Sequence, residues 1–237
     1  MTETPAALRE SHHADVSGGW LRPAVFGAMD GLVTNIALIA GVGGGGVSPR
    51  NIVLTGTAGL VAGAISMALG EYTSVRSANE QIAAEVAKER RELERHPEAE
   101  ARELAEIWIA RGLPPDLATQ VAEAIRENPE QALRVHVQEE LGVNPDEQPN
   151  PWTAAISSFL CFSVGALVPL LPYLFGATSL ALALLVGGLG LFIAGAVVAR
   201  FTNRPWWRAG LRQLLMGAAA AAATYVIGAL IGVQGAF

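Results

Sequence analysis

Asp30, Met67 and Glu71 stand in stretches that are otherwise fit for a lipid bilayer. An ionisable side chain at the centre of a membrane-spanning helix costs about 2.5–3.5 kcal/mol even on lenient insertion scales, so it is seldom placed there without a role. Met67 and Glu71 are four residues apart and share one helical face, with Ser74 close to it. Thr34 stands in the same relation to Asp30. Two carboxylates, a thioether and hydroxyls suit a borderline first-row dication better than Ca²⁺ or Mg²⁺. The chemistry implied is a cation pathway through a membrane. The structural alternative pairs Asp30 with Arg22 or Arg76, or lets it cap a helix break at Gly31.

A second group of candidate ligands is polar in its surroundings. Glu89 and Glu92 are three residues apart, as are Glu100, Glu103 and Glu106, and His136 and Glu140 are four apart. At these spacings side chains project the same way from a helix, and two such faces across a hairpin would offer a divalent cation several oxygens and a nitrogen. Exposed glutamates paired with Arg90, Arg91 and Arg102 are the plainer alternative.

The elements that must position these residues follow from hydropathy. The chain has 237 residues, 51% of them hydrophobic, and a mean hydropathy of +0.35. Only 16% are charged, which is sparse for a soluble domain. About 20 apolar residues cross a hydrocarbon core, and five segments qualify, at 23–43, 52–75, 152–174, 179–200 and 210–233. Between the second and third lies an acidic insert, 79–148, with 17 acidic and 8 basic residues. The rest carries 5 acidic and 8 basic residues. The fold class expected is an all-α membrane protein of five transmembrane helices with a small helical cytoplasmic domain between spans two and three. The divisions are a tail at 1–22, spans one and two at 23–78, the insert at 79–148 and spans three to five at 149–237.

Within the insert, Ser77 to Arg95 should prolong span two, and His96-Pro97 should break it, since a residue before proline disfavours helix. Helices from Glu98 to Ala110, from an Asp116 cap to Arg126, and from Asn128 or Pro129 to Gly142 should follow. Gly27/Gly31, Gly59/Gly63 and Gly228/Gly232 form Gly-x-x-x-Gly pairs suited to close helix packing or dimerisation. Arg200, Arg204, Arg208 and Arg212 gather between spans four and five, with Trp206 and Trp207 as interfacial anchors. By the positive-inside rule this connection, the N-terminus and the insert face the cytoplasm. The polar first 19 residues lack a signal-peptide pattern, and His12-His13 reads as part of a surface tail. Cys161 is a small hydrophobe. No phosphate-binding glycine loop, nucleophile with a positioned base or Glu-x-x-His pair of the di-iron type on an expected helix is present, so an enzyme is not expected. Neither a prosthetic group nor a nucleic-acid partner is expected.

The segments Gly27-Ala-Met-Asp30-Gly-Leu-Val-Thr-Asn, Gly59-Leu-Val-Ala-Gly-Ala-Ile-Ser-Met67-Ala-Leu-Gly-Glu71-Tyr-Thr-Ser-Val, Glu139-Glu-Leu-Gly-Val143 and Pro169-Leu-Leu-Pro-Tyr173 resemble the vacuolar iron transporter family. The resemblance runs through nearly the whole chain after Trp20. It implies a homodimeric Fe²⁺ or Mn²⁺/H⁺ antiporter that removes metal from the cytosol. It implies an ion path near the dimer interface using Asp30 and Met67, with Glu71 beside them as a candidate relay. It also implies a metal-gathering insert using Glu89, Glu92, Glu100, Glu103 and Glu140. Where the family carries two methionines ahead of that last glutamate, this chain has His136 and Val137. A metal buffer or sensor that the spans merely tether is the rival function. The Arg-rich, Lys-poor, Ala/Gly-rich composition points to a bacterial plasma membrane; in a eukaryote the membrane would be vacuolar.

Overall fold

The computed structural model describes residues 19–144, 148–202 and 205–234. His12 and His13, and Arg204 of the arginine group, lie outside the described residues. The described chain is helical and contains no strand. Helix α1 spans Leu21–Gly44, α2 Pro49–Arg95, α3 Pro97–Ala110, α4 Pro115–Arg126, α5 Pro129–Glu140 and α6 Pro151–Leu167. A 3₁₀ turn, Val168–Leu170, and a short α7, Leu171–Leu174, continue α6, followed by α8, Leu180–Thr202, and α9, Trp206–Gln234. Five helical segments are long and apolar enough to cross a membrane: Leu21–Gly44, the first part of α2, Pro151–Leu174, Leu180–Arg200 and Trp206–Gly232.

Helix α1 is central and touches α2, α6, α8 and α9. Its glycines make that possible. A Cβ on Gly31 would meet the backbone of Phe162 and Ala166, and one on Gly27 would come 2.7 Å from the Ser158 carbonyl. From the other side, Gly165 abuts the Ala28 carbonyl. Gly228 sits on the backbone of Gly41, and Gly232 on that of Gly45, so α1 and α9 are equally close. Gly59 and Gly63 receive Leu38 and the Phe162 ring. All three Gly-x-x-x-Gly pairs therefore serve packing within one chain. Without apolar driving force between helices in lipid, such contacts and interhelical hydrogen bonds must hold the bundle. Thr224 supplies one, donating to the Ala37 carbonyl at 2.6 Å.

Helix α2 is one unbroken rod of 47 residues, about 70 Å at 1.5 Å per residue. Ser48 caps its start, accepting from the Asn51 amide at 3.4 Å, with Pro49 in the first turn. His96 ends it ahead of Pro97. The apolar half packs on α6, and the polar half runs out to α3 and α5. There Ala101, Leu104, Ala105, Ala118 and Ala122 form a small core, joined by Trp108, Leu113, Ile125 and Val135.

Two local expectations need correction. Asp116 does not cap α4: the position before the helix is Pro114, which makes no side-chain cap, and Asp116 lies in the first turn, where a carboxylate favours the helix dipole. Trp206 and Trp207 belong to α9 rather than to its preceding connection. Pro205, unable to continue a helix from α8, instead supplies the carbonyl that accepts from the Arg208 and Ala209 amides.

Candidate metal sites

In the insert, four side chains from four different turns of sequence converge. Glu89 comes from the far part of α2, Glu100 from α3, and His136 and Glu140 from α5; one ligand atom from each lies within 4.8 Å of every other. His136 Nδ1 is 3.1 Å from Glu140 Oε1, 3.2 Å from Glu89 Oε1 and 3.8 Å from Glu100 Oε2. Oxygen and nitrogen ligands about 2.0–2.2 Å from a common ion can be at most about 4.4 Å apart. The cluster therefore needs to contract by only a few tenths of an ångström to hold one cation.

Its electrostatics favour that. His136 is 2% exposed, Glu89 7% and Glu100 9%, so three polar groups are buried around one point, with Glu140 at the rim. Glu89 Oε1 has no hydrogen bond of good geometry among the described residues. Burial pushes the Glu89 carboxyl up to about 7, and the charges of Glu140, Glu100, Glu92 and Glu103 push the same way. The Glu100 carboxyl is raised too, first by burial and then by Glu103, against the lowering effect of His136. Carboxylates that resist ionisation next to one another are short of a cation.

The other glutamates named from sequence stand outside this four-residue set. Glu92 is half-exposed with Lys88 at 3.9 Å, and Glu103 is exposed. Both act on Glu89 through charge alone. Glu139, next in sequence to a cluster member, is turned away: it pairs with Arg111 and accepts from Trp108 Nε1 at 3.4 Å. Trp108 thereby ties the last turns of α3 to α5, which holds His136 opposite Glu100.

In the membrane part, Asp30 and Thr34 of α1 and Met67, Glu71 and Ser74 of α2 line one cavity of about 350 Å³. Phe26, Gly63, Ser66, Gly70 and Phe162 complete it. Thr34 Oγ1 donates to Asp30 Oδ1 at 3.4 Å. No described cation lies within ion-pairing range of Asp30, and Arg76 pairs instead with Glu80 at 2.8 Å. The alternative that Asp30 is an ordinary ion-pair partner of Arg22 or Arg76 is therefore not the arrangement found. Phe162, 2% exposed, closes the cavity from the bundle core.

One further polar group in this region is not among the ligands expected from sequence. Asn35 is 1% exposed, and its amide donates to the Ala166 carbonyl at 2.5 Å while Oδ1 has no hydrogen-bond partner among the described residues. It lies five residues beyond Asp30 on α1, about 7.5 Å further along the axis. Its signal was an amide in an apolar run directly after Thr34.

The profile of the VIT family matches residues 21–229. Vacuolar iron transporter 1 of Oryza sativa subsp. japonica is 34% identical over 233 residues, covering 95% of this chain and 92% of the relative. Vacuolar iron transporter 1 of Arabidopsis thaliana is 32% identical over 229 residues, or 93% and 90% of the two chains. The vacuolar iron transporter of Acanthamoeba castellanii is 37% identical over 204 residues, or 81% and 74%. With a family match that runs from the first spanning helix to the last, and relatives alike over about three quarters or more of their length, this chain belongs to the VIT family.

Proposed function

We propose that the protein is a divalent transition-metal transporter that exports Fe²⁺ or Mn²⁺ from the cytosol in exchange for protons. The observation that carries this reading is that one continuous helix contributes candidate ligands to both sets. Met67 and Glu71 stand on α2 in the membrane cavity, and Glu89 stands on α2 in the insert cluster. Eighteen residues separate Glu71 from Glu89, about 27 Å of rigid rod. Metal capture at one end is thus mechanically joined to the cavity at the other.

The chemistry follows from the donors. Three carboxylates and one imidazole supply charge and a borderline ligand, a set that suits Fe²⁺ and Mn²⁺. A dication entering the cluster displaces the proton that Glu89 holds below about pH 7, so metal loading releases protons on that side. In the membrane, Asp30 and Glu71 are the groups that would alternate between metal and proton, with Met67 and Thr34 as neutral ligands. The insert is assigned to the cytoplasm, in line with the arginines near α8 and α9, and the membrane to a bacterial plasma membrane.

The working unit is a homodimer. Leu54, Val61, Ile65 and Leu69 project from α2 as an exposed apolar strip beside the cavity, and a second copy seated there would bring two cavities together.

The deciding experiment is Fe²⁺ and Mn²⁺ uptake into proteoliposomes with an acidic lumen and an entrapped pH dye. Metal entry that accelerates with the gradient and turns the lumen alkaline is expected. Flux no greater than in empty liposomes, from protein that still binds metal, would instead establish the tethered buffer or sensor.

A further inference from the structure

Residues 151–237 contain no Asp, Glu or Lys, and Arg200, Arg204, Arg208 and Arg212 are their entire side-chain charge apart from the chain end. Among the described residues no carboxylate pairs with Arg200, Arg208 or Arg212. Arg208 lies over the Trp207 ring, 5.0 Å from its centroid. Arg200, exposed at the end of α8, does something different. It borders a cavity of about 640 Å³ whose other walls include Phe192, Ile193, Ala196 and Val197 of α8, with Pro205 just before α9 and Trp206 at its start.

This slot is held open by its own packing. Gly195 lies against the Ala209 carbonyl and Gly210 against that of Phe192, so the two helices are pinned backbone to backbone beside it. The Phe192 and Trp206 rings meet edge to face at 6.0 Å. Its volume falls within the roughly 300–1,000 Å³ of ligand pockets. Apart from the Arg200 guanidinium its named side chains are apolar or aromatic. The N-terminus of α9, the positive end of that helix's dipole, lies next to it.

We propose that the α8–α9 slot binds an anionic diacyl phospholipid, with the headgroup phosphate on Arg200 and an acyl chain against Ile193, Ala196 and Val197. A free inorganic anion would use the guanidinium and leave the apolar walls bare; a zwitterionic lipid would use the walls and gain less from the charge. Only a lipid with net negative charge matches both, and an indole at the mouth suits the headgroup level. The positive-inside rule explains arginines anywhere in this connection, but it does not call for a cavity beneath one of them.

The test is native mass spectrometry of the full-length protein titrated with phosphatidylglycerol and phosphatidylcholine of identical acyl chains. Phosphatidylglycerol should be retained at about fivefold lower concentration, the gain expected of one basic residue at an anionic surface. Arg200→Gln should erase the difference, and Arg200→Lys should keep most of it. Ala196→Phe, which fills the slot while leaving the charge, should weaken retention of both lipids. Arg50→Gln, at an exposed arginine in the first turn of α2, should change nothing. Equal retention of the two lipids by the unmodified protein, or a preference that survives either Arg200→Gln or Ala196→Phe, would overturn the proposal.

Discussion

The two candidate metal sites are built on opposite plans. The insert cluster packs four ligand atoms within 4.8 Å of one another and buries three of the four side chains. The membrane cavity spreads Asp30, Thr34, Met67 and Glu71 around about 350 Å³, with Thr34 exposed and Asp30, Met67 and Glu71 only half-buried. A dense set of carboxylates binds; a sparse set lets go. Conduction demands binding favourable enough to enter but weak enough to leave; under the proposed transport the dense set would retain metal and the sparse set would pass it. It also locates the energetic tension. In the insert, the mutual repulsion would be relieved by a cation, whereas in the membrane cavity Asp30 has only the Thr34 hydroxyl as a hydrogen-bond partner among the described residues.

Asp30→Ala is the substitution expected to have the largest effect. It should reduce flux to that of empty vesicles while leaving metal affinity in the insert unchanged, as read by uptake and by calorimetric titration of the same purified protein. Near-normal uptake would remove the cavity from the pathway and leave the cluster as the only metal site. The mirror experiment is His136→Ala. Even a group one shell removed from a metal is commonly worth 10–100-fold in affinity, so loss of the buried imidazole should weaken metal binding by about that much or more. Flux at saturating metal should fall far less than in Asp30→Ala. Equal losses of flux in the two variants would mean that the regions act as one site. His136→Gln, closer in size and able to hydrogen-bond, guards against a collapsed insert, since its helical circular dichroism should match the unmodified protein.

The two regions were also unequally legible in the sequence. Hydropathy marked all five membrane segments, because a bilayer imposes one long apolar requirement that any window can find. The insert's helix ends were nearly as plain: Pro97, Pro115 and Pro129 each stand at a first turn, and Asn128 caps α5 as its residue type suggests, accepting from Gln131 at 3.2 Å. The membership of the cluster was harder. Spacing made Glu92 the equal of Glu89, and Glu103 the equal of Glu100. Position around the rod decides between them: Glu89 turns toward α5 whereas Glu92 turns toward Lys88 and solvent. That rotation is set by how α3 and α5 dock on α2, a tertiary fact with no local signal. Glu139 and Glu140 are adjacent letters with opposite fates for the same reason. Asn35 escaped because an amide carries no charge to draw attention, and its burial depends on Ala166, 131 residues away.

Proton linkage should separate the regions by a smaller but cleaner margin. The Glu89 carboxyl is raised from 4.5 to about 7, so below about pH 7 a proton competes with metal. Affinity in the cluster should fall about tenfold per pH unit there for each proton displaced, and titrations in Asp30→Ala protein should show the same slope. A slope that vanished in Asp30→Ala would place the competing proton in the membrane cavity instead. The sign for stability is opposite in metal-free protein. Because the folded state holds its proton more tightly than the unfolded chain, stability is lost as pH rises from about 4.5 to about 7, by up to about 3 kcal/mol. Metal should restore it, with a thermal upshift that grows across the same window.

The smallest effect expected is that of Glu103→Gln, and it carries the sharpest distinction within the cluster. Glu103 is exposed and supplies no ligand atom, yet its charge contributes to the raised carboxyls of Glu89 and Glu100. An exposed charge acting at a distance is screened over about 10 Å at 0.1 M ionic strength. Removing it should therefore lower metal affinity by only about two- to threefold at low ionic strength, and by less as salt is added. Glu100→Gln removes a buried ligand, and its larger loss should persist in salt, because buried charges are screened far less. If instead Glu103→Gln matched Glu100→Gln and its loss were insensitive to salt, Glu103 would have to reach the ion directly. The cluster would then bind through a wider ring of glutamates, and the contrast between a dense site and a sparse one would weaken to a difference of degree.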